Sequence, residues 1–292
     1  MLVAKSNILL LFLFFCSLQT VSAQRTITFE GIENARDMGG LVVDNGQQIR
    51  SGMLIRSGCL AQATDSDVVR LKDCYHITNV YDFRFEAECN AAPDRIIDGV
   101  SYTHLSTLPE TLIKVFSSSS VDTTRMDMKD MMAIMMKYAF EPMAQMMAKL
   151  LYPSIVSDSL SQQYYGEFLR GVLHAKGGVL WHCSQGKDRA GWASAFVLAA
   201  LGASRQVIVE DFDLSNQSYA SHVEAMVKEI VEKGGDEKAV AFIRAMVGVS
   251  RENFETTLDM IDQEYGSLSQ YIEKQLDFSN EEQQQLRNKY LE

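Results

Sequence analysis

Apolar positions along this chain come in two rhythms. Short runs at 26–29, 41–43, 53–56, 78–83 and 178–182 read as strands, and between and after them apolar residues recur at helical spacing. Such alternation predicts an α/β fold, a sheet covered by helices. Asn45-Gly46 predicts a hairpin turn between two of the early runs. A helix is predicted from the cap Thr64, with Asp67 three residues on and Val68 and Leu71 turned inward. In another, Leu160, Tyr164, Phe168, Leu169 and Val172 share one face. From Gly191 to Leu201 nearly every residue is apolar, which predicts a helix buried on most sides. Beyond Arg205 the pattern is mostly helical, and it closes with a capping box, Ser279 to Glu282, ahead of Leu286 and Tyr290.

Between 125 and 151 the pattern changes character. Met128, Met131, Met132, Met135 and Met136 repeat at helical spacing, and after Pro142 so do Met143, Met146, Met147, Leu150 and Leu151. This predicts two amphipathic helices joined near a proline. Two readings stand for the methionines. They fill the core, the commoner use of such a stripe, or they form a mobile lid that repacks against varied partners, a lipid surface among them.

Charge and cysteine content narrow the class. Lys5, the apolar run at 8–16 and the small residues Val21-Ser22-Ala23 read as a signal peptide occupying 1–23, so the mature chain is expected in the periplasm or secreted. The run falls short of the ~20 apolar residues of a membrane span. A lipid anchor on Cys16 is the alternative; Phe14 and Phe15 are bulky for that processing, so cleavage after Ala23 ranks first. The remainder, 24–292, is predicted as one domain, with Ser117 to Ser120 its only low-complexity patch and no internal repeat. Without the leader, 26 basic residues face 38 acidic ones, a formal charge of -12. That balance argues against a nucleic-acid partner, so an anionic substrate must be caught by local positive groups. Cys59, Cys74, Cys89 and Cys183 remain. If Cys183 stays free to react, three are left and no pairing can be assigned; small buried apolar residues is the simpler reading of each.

The chemistry concentrates in one segment. Val179-Leu180-Trp181-His182 ends a strand and a helix follows, so the residues between make a tight turn whose amides can point at one centre. A helix start of this kind is an anion site. Arg189 adds a planar fork for two phosphate oxygens. Cys183 lies at the base of this positive potential, a setting that favours a thiolate nucleophile. Taken singly, Cys183 passes as core filler, His182 as a satisfied core histidine, and Lys187-Asp188-Arg189 as a solvated helix start. Their occurrence together in one turn, with Gly186 supplying backbone freedom, does not.

Cys183 to Arg189 fits the C-x5-R signature of protein tyrosine phosphatases. The longer His182-Cys183-Ser184-Gln185-Gly186-Lys187-Asp188-Arg189 resembles the bacterial branch whose loop reads HCxxGKDRTG. Asn34-Ala35-Arg36-Asp37-Met38-Gly39-Gly40 is similar to that branch's N-x-R-D-x-G-G opening. Tyr81-Asp82-Phe83-Arg84, followed by Glu86 and Pro93-Asp94, resembles its D-x-R segment. Asp211-Phe212-Asp213-Leu214-Ser215-Asn216 and Tyr265-Gly266 extend the likeness over almost the whole mature chain.

The resemblance implies a protein-tyrosine-phosphatase-like fold, with a largely parallel central sheet, helices on both faces and a helical lid inserted at about 108–152. It implies no metal and no cofactor, and a phosphorylated protein as substrate, with phosphotyrosine first and phosphoserine, phosphothreonine or phosphoinositides accepted by relatives. Attack by Cys183 would form a phosphocysteine while Arg189 and the backbone of Ser184, Gln185 and Gly186 hold the phosphate. His182, Arg36 and Asp37 are expected around the substrate, and Lys187 to add charge for a second phosphate. Asp188 is the first choice for the acid. Asp82 is the second, and for each of the two the alternative is a partner that only orients Arg189 or Arg36 through an ion pair. Ala190 departs from the pattern, standing where relatives have a threonine or serine whose hydroxyl is implied to bond the cysteine sulfur. Two other classes stay open: a phosphopeptide-binding protein without turnover, and a redox or sulfur-transfer protein using the same cysteine. The oligomeric state is not legible.

Overall fold

Five short strands form the centre of the computed structural model of the chain, which describes residues 26–109 and 138–292. They are β1 (Arg36–Asp37), β2 (Leu54–Ser57), β3 (Ile77–Asp82), β4 (Ser101–His104) and β5 (Gly178–His182), in the order β1-β2-β5-β3-β4. Only β1 runs antiparallel to its neighbour. The central β5 is buried along its whole length, as a parallel strand covered on both faces must be. The apolar runs at 53–56, 78–83 and 178–182 thus become β2, β3 and β5. Those at 26–29 and 41–43 do not become ladders. Each makes a single bridge, Thr26 to Arg36 and Val42 to Gln48, the second closing the Asn45-Gly46 turn.

Successive strand residues point to opposite faces, and the core divides accordingly. Ile55, Val80 and Leu180 join Leu60, Leu71 and Ile97 on one face, whereas Leu54, Tyr81, Val179 and Trp181 enter the larger core on the other. The first face is covered by α1 (Asp65–Val69), which runs on as a π-helical turn, Arg70–Cys74. Thr64 caps α1 as expected, and the buried Asp67 returns the bond and also takes the amides of Glu30 and Gly31. A short α2 (Glu86–Ala91) follows β3.

The remaining helices follow: most enclose the core of the second face, and two pack in a separate cluster around Met226, Ile230, Phe242 and Ile243. In chain order these helices are α3 (Pro142–Ser157), α4 (Ser159–His174), α5 (Asp188–Leu201), α6 (Arg205–Asp213), α7 (Ser215–Ser218), α8 (Ala220–Glu232), α9 (Glu237–Val247), α10 (Arg251–Tyr265), α11 (Leu268–Gln275) and α12 (Asn280–Tyr290). α5 is buried from Ala190 to Leu201, as its apolar composition predicts. In α4 Phe168, Leu169 and Val172 point inward, but Leu160, in the first turn, is exposed. Pro142 starts α3 at a position where the missing N–H costs nothing. Farther along α3, Met146 and Leu150 are exposed, Leu151 packs on the core, and Tyr152, Ile155 and Val156 are buried. The leader with Cys16, the first methionine stripe and Ser117 to Ser120 lie outside the described residues, as do the side chains of Met143 and Met147. Among the described residues no helix is long and apolar enough to cross a membrane.

Candidate active site

Between β5 and α5 the chain turns at Cys183–Lys187, and every carbonyl of this turn is held from outside. Those of Cys183 and Ser184 meet His182 Nδ1 at 3.2 Å and the Cys59 amide at 3.1 Å. Gln185 O accepts from Asn34 Nδ2 (3.1 Å) and Tyr219 OH (2.9 Å). The Gly186 and Lys187 carbonyls accept from Arg56 NH2 at 2.7 and 3.0 Å, and Asn34 Nδ2 adds 3.0 Å to Gly186. With the carbonyls pinned outward, the amides turn inward. Among the described residues, none of the amides of Ser184, Gln185, Gly186 and Lys187 donates to a protein acceptor. Gly186 is required here. Its φ is +65°, and a Cβ would stand 2.2 Å from Ser57 O.

Arg189, in the first turn of α5, is locked end-on against Glu88 of α2, NH1 to Oε2 at 2.6 Å and NH2 to Oε1 at 2.8 Å. NH1 also donates to Phe83 O at 3.3 Å. Of the five guanidinium N–H donors, Nε–H and the outer NH2 proton remain as a side-on fork, shared among the described residues only with Ser184 Oγ at 3.5 Å. Ser184 Oγ itself donates to Glu88, so what Ser184 offers an anion is its amide. Burial pushes the Glu88 carboxyl up, but Arg189 and the hydrogen bonds outweigh it and hold the group below its ordinary value. Burial likewise acts to lower Arg189, and Glu88 overcomes it, keeping the guanidinium charged.

Several residues expected at the substrate serve as supports instead. Lys187 is buried, and its ammonium donates to Met246 O (2.7 Å) and Val247 O (2.9 Å) at the end of α9. A cation there suits the negative end of the helix, and its direction removes it as a grip for a second phosphate. Arg36 is buried on Asp211 and Asn34, with Nε to Asp211 Oδ1 at 3.3 Å and NH1 to Asn34 Oδ1 at 2.8 Å. The other oxygen of Asp211 accepts from Arg56 at 2.9 Å. One carboxylate thereby ties two buried guanidiniums to the loop; losing one partner of such a buried pair costs about 3–5 kcal/mol. Asp37 spends both oxygens on the amides of Gly39 and Gly52, at 2.8 and 2.6 Å. His182 is fully buried, its Nε2 3.0 Å from Asp94.

Asp82 pairs with neither Arg189 nor Arg36. Arg84 takes it through Nε, NH2 and the backbone amide at 2.7–3.0 Å. Burial pushes the Asp82 carboxyl up, but His182 and Arg84 bring it down to about 2, which unfits it as a proton donor near neutral pH. Asp82, Asp94 and His182 could converge on a cation, but the Arg84 guanidinium already pairs with both carboxylates. Asp188, the first residue of α5, is in contrast only half-buried, with Oδ1 accepting from Tyr152 OH at 2.7 Å.

The four cysteines of the described residues are free thiols. Burial raises the Cys59 thiol, and burial with Asp82 pushes Cys89 up to about 12. Cys183 Sγ, by comparison, accepts no hydrogen bond from a described side chain, and Ala190 beside the loop supplies no hydroxyl.

Sequence reasoning misses Glu88, Arg56, Tyr152 and Tyr219, and it places Asn34 and Asp211 in motifs without giving them a role. Glu86, which the D-x-R likeness includes, is exposed; the residue that holds Arg189 stands two positions on. An arginine inside the buried strand 54–57 is one signal that a buried acid must lie elsewhere in the chain.

Comparison with known proteins agrees with this geometry. Residues 27–292 match the family model described as "Tyrosine phosphatase family". A protein of Cupriavidus necator named "Putative tyrosine-protein phosphatase" is 32% identical over 203 residues, which cover 69% of this chain and 67% of that one. The "Triple specificity protein phosphatase PtpB" of Mycobacterium tuberculosis is 28% identical over 213 residues, 70% of this chain and 74% of its own. A cysteine and an arginine in one anion-binding turn, on a sheet of this topology, thus have their counterpart in sequence: the chain belongs to the tyrosine phosphatase family and is a cysteine-dependent phosphatase.

Proposed function

We propose that this enzyme hydrolyses phosphotyrosine in proteins through a phosphocysteine on Cys183. The observation that carries the reading is the set of inward amides from Ser184 to Lys187, facing the Nε/NH2 side of Arg189. Together they match the equatorial oxygens of a phosphoryl group in flight, where donors aimed in advance contribute most. Cys183 attacks phosphorus in line with the leaving oxygen, and Asp188 protonates that oxygen. Asp188 then takes a proton from the water that releases phosphate. Asp188 is preferred over Asp82 because it is half-buried in the same turn as Arg189 and, among the described residues, makes no ion pair with an arginine, whereas His182 and Arg84 hold Asp82 low.

Phosphotyrosine is preferred over phosphoinositide because the anchoring of Lys187 on α9 removes the extra cation that favoured a second phosphate. The name of the mycobacterial relative supports activity beyond tyrosine. Phosphate release from matched phosphotyrosine, phosphoserine and phosphothreonine peptides and from phosphoinositides tests this. The highest kcat/KM is expected on phosphotyrosine; a lead for phosphoinositides overturns the substrate assignment, and no release from any overturns the enzymatic one.

Ala190 sets the expected kinetics. A hydrogen bond to a charged group contributes about 1.5–3 kcal/mol, so without a hydroxyl on the departing Cys183 thiolate the second step should slow by roughly ten- to a hundredfold. Rapid mixing with p-nitrophenyl phosphate should give a burst followed by a slower steady rate, and Ala190→Thr should raise the steady rate. No burst, with Ala190→Thr unchanged or slower, would mean that another group stabilises the sulfur.

A further inference from the structure

α3 sends Tyr152 deep into the protein. Its ring packs edge-on against Trp192 of α5, Phe212 of α6 and Phe254 of α10, with centroids 6.4, 5.4 and 6.4 Å away. Three helices therefore fix the ring, and the hydroxyl has a single possible location. There, among the described residues, it meets two polar groups. The Ser250 amide approaches at 3.4 Å and can only donate, while Asp188 Oδ1 lies at 2.7 Å. The phenolic proton is thus committed to Asp188. Burial, and then the Asp188 charge, push the Tyr152 phenol well above its ordinary value, so the group is a donor near neutral pH.

We propose that Tyr152 is the positioning residue of the catalytic acid: it pins Oδ1 of Asp188 and thereby leaves Oδ2 to carry the proton delivered to the leaving oxygen. The proposal rests on the reading of Asp188 as that acid. A carboxylic acid whose one oxygen accepts a strong hydrogen bond holds its own proton on the other. Among the described residues no hydrogen bond is recorded for Oδ2, which is therefore free to face a substrate. An Asp188 without Tyr152 could rotate and present either oxygen, and the proton would often be misplaced.

The consequence is selective. A leaving group that is stable as an anion, such as p-nitrophenolate, departs with little need of a proton, whereas an unactivated phenolate or an alkoxide depends on one. Tyr152 should therefore matter least for activated esters and most for the esters found in proteins, and it helps to set how far below phosphotyrosine in reactivity the enzyme's substrates extend.

Tyr152→Phe keeps the ring and removes only the hydroxyl. The measurement is kcat/KM, which reports the step up to phosphocysteine, across aryl phosphates whose leaving phenols range from nitro- to methoxy-substituted. Tyr152→Phe, Asp188→Asn and the double variant are compared with the native enzyme. Tyr152→Phe should lose about ten- to a hundredfold on the least acidic phenol and less than about threefold on the nitrophenol. Tyr152→Phe should add nothing in the Asp188→Asn background. A loss equal across the series, an additive double variant or no loss at all overturns the proposal, the first being what a purely packing role gives. If Asp188→Asn discriminates among leaving groups and Tyr152→Phe does not, the proposal alone falls. If Asp188→Asn fails to discriminate, the reading of the acid falls and the proposal with it.

Discussion

Cys183→Ser should reduce hydrolysis of p-nitrophenyl phosphate by a factor on the order of 10⁴ or more while leaving tungstate binding nearly intact. The two expectations come from different parts of the structure. Turnover needs a nucleophile that is ionised in place, and a serine hydroxyl stays protonated where a thiol gives up its proton. Anion binding needs the loop, and the loop's shape does not depend on the sulfur. Its carbonyls are held by His182, Cys59, Asn34, Tyr219 and Arg56, none of which the substitution touches. Steady-state assay and calorimetry with tungstate, a phosphate mimic, check both. Residual turnover near the native rate would end the covalent route. Loss of tungstate binding together with turnover would mean that Cys183 shapes the cradle as well as reacting in it.

Arg189→Lys should lower kcat about 10²- to 10³-fold and also weaken tungstate binding. The substitution keeps the charge, so a large effect would come from geometry. Two nitrogens of Arg189 are held by Glu88 at 2.6 and 2.8 Å, which leaves the side-on pair for the phosphoryl oxygens. A lysine has one nitrogen and cannot grip Glu88 and the phosphoryl group as two planar forks. Arg189→Ala is the less informative variant. It strands Glu88, largely buried, without its cation, at about 3–5 kcal/mol of stability, and lost activity could then reflect unfolding. A Lys variant that folds normally and keeps most of its kcat would show that charge alone suffices.

Much of the scaffold was readable one segment at a time, because the forces that form it are local. β2, β3 and β5 announce themselves as short apolar runs since both faces of a central parallel strand are covered. The cap at Thr64 and the box from Ser279 to Glu282 form as predicted, each within three residues of chain. β4 gave no such sign. It lies at the sheet edge, and Ser101-Tyr102-Thr103-His104 has too little apolar character to mark a strand. The runs at 26–29 and 41–43 carried the right composition but found no long partner, and β-structure depends on a neighbour more than on propensity.

The site divides in the same way. The loop was legible because nucleophile, amides and arginine sit in one stretch of eight residues, 182–189. Its supports come from far along the chain: Glu88 reaches Arg189 across 101 residues and Arg56 reaches Asp211 across 155. Charge in the sequence also suggested exposure. Lys187 is expected at the substrate for its charge, and Arg36 and Asp37 from the resemblance, whereas folding buries or half-buries all three as ties between segments. Tyr152 was hidden for a different reason. It sits just beyond the methionine pattern of α3, and only the packing of α5, α6 and α10 around it shows that its hydroxyl is aimed at Asp188.

The account turns on a covalent bond between phosphorus and one sulfur. Quenching the enzyme during the first turnovers of p-nitrophenyl phosphate, followed by mass mapping of its peptides, tests it most directly. The slow second step expected from Ala190 should let the intermediate accumulate. Phosphate should appear on the peptide that contains Cys183, in an amount that matches the burst, and be absent from Cys183→Ser. A burst with phosphate on another residue, or on none, would contradict the phosphocysteine mechanism.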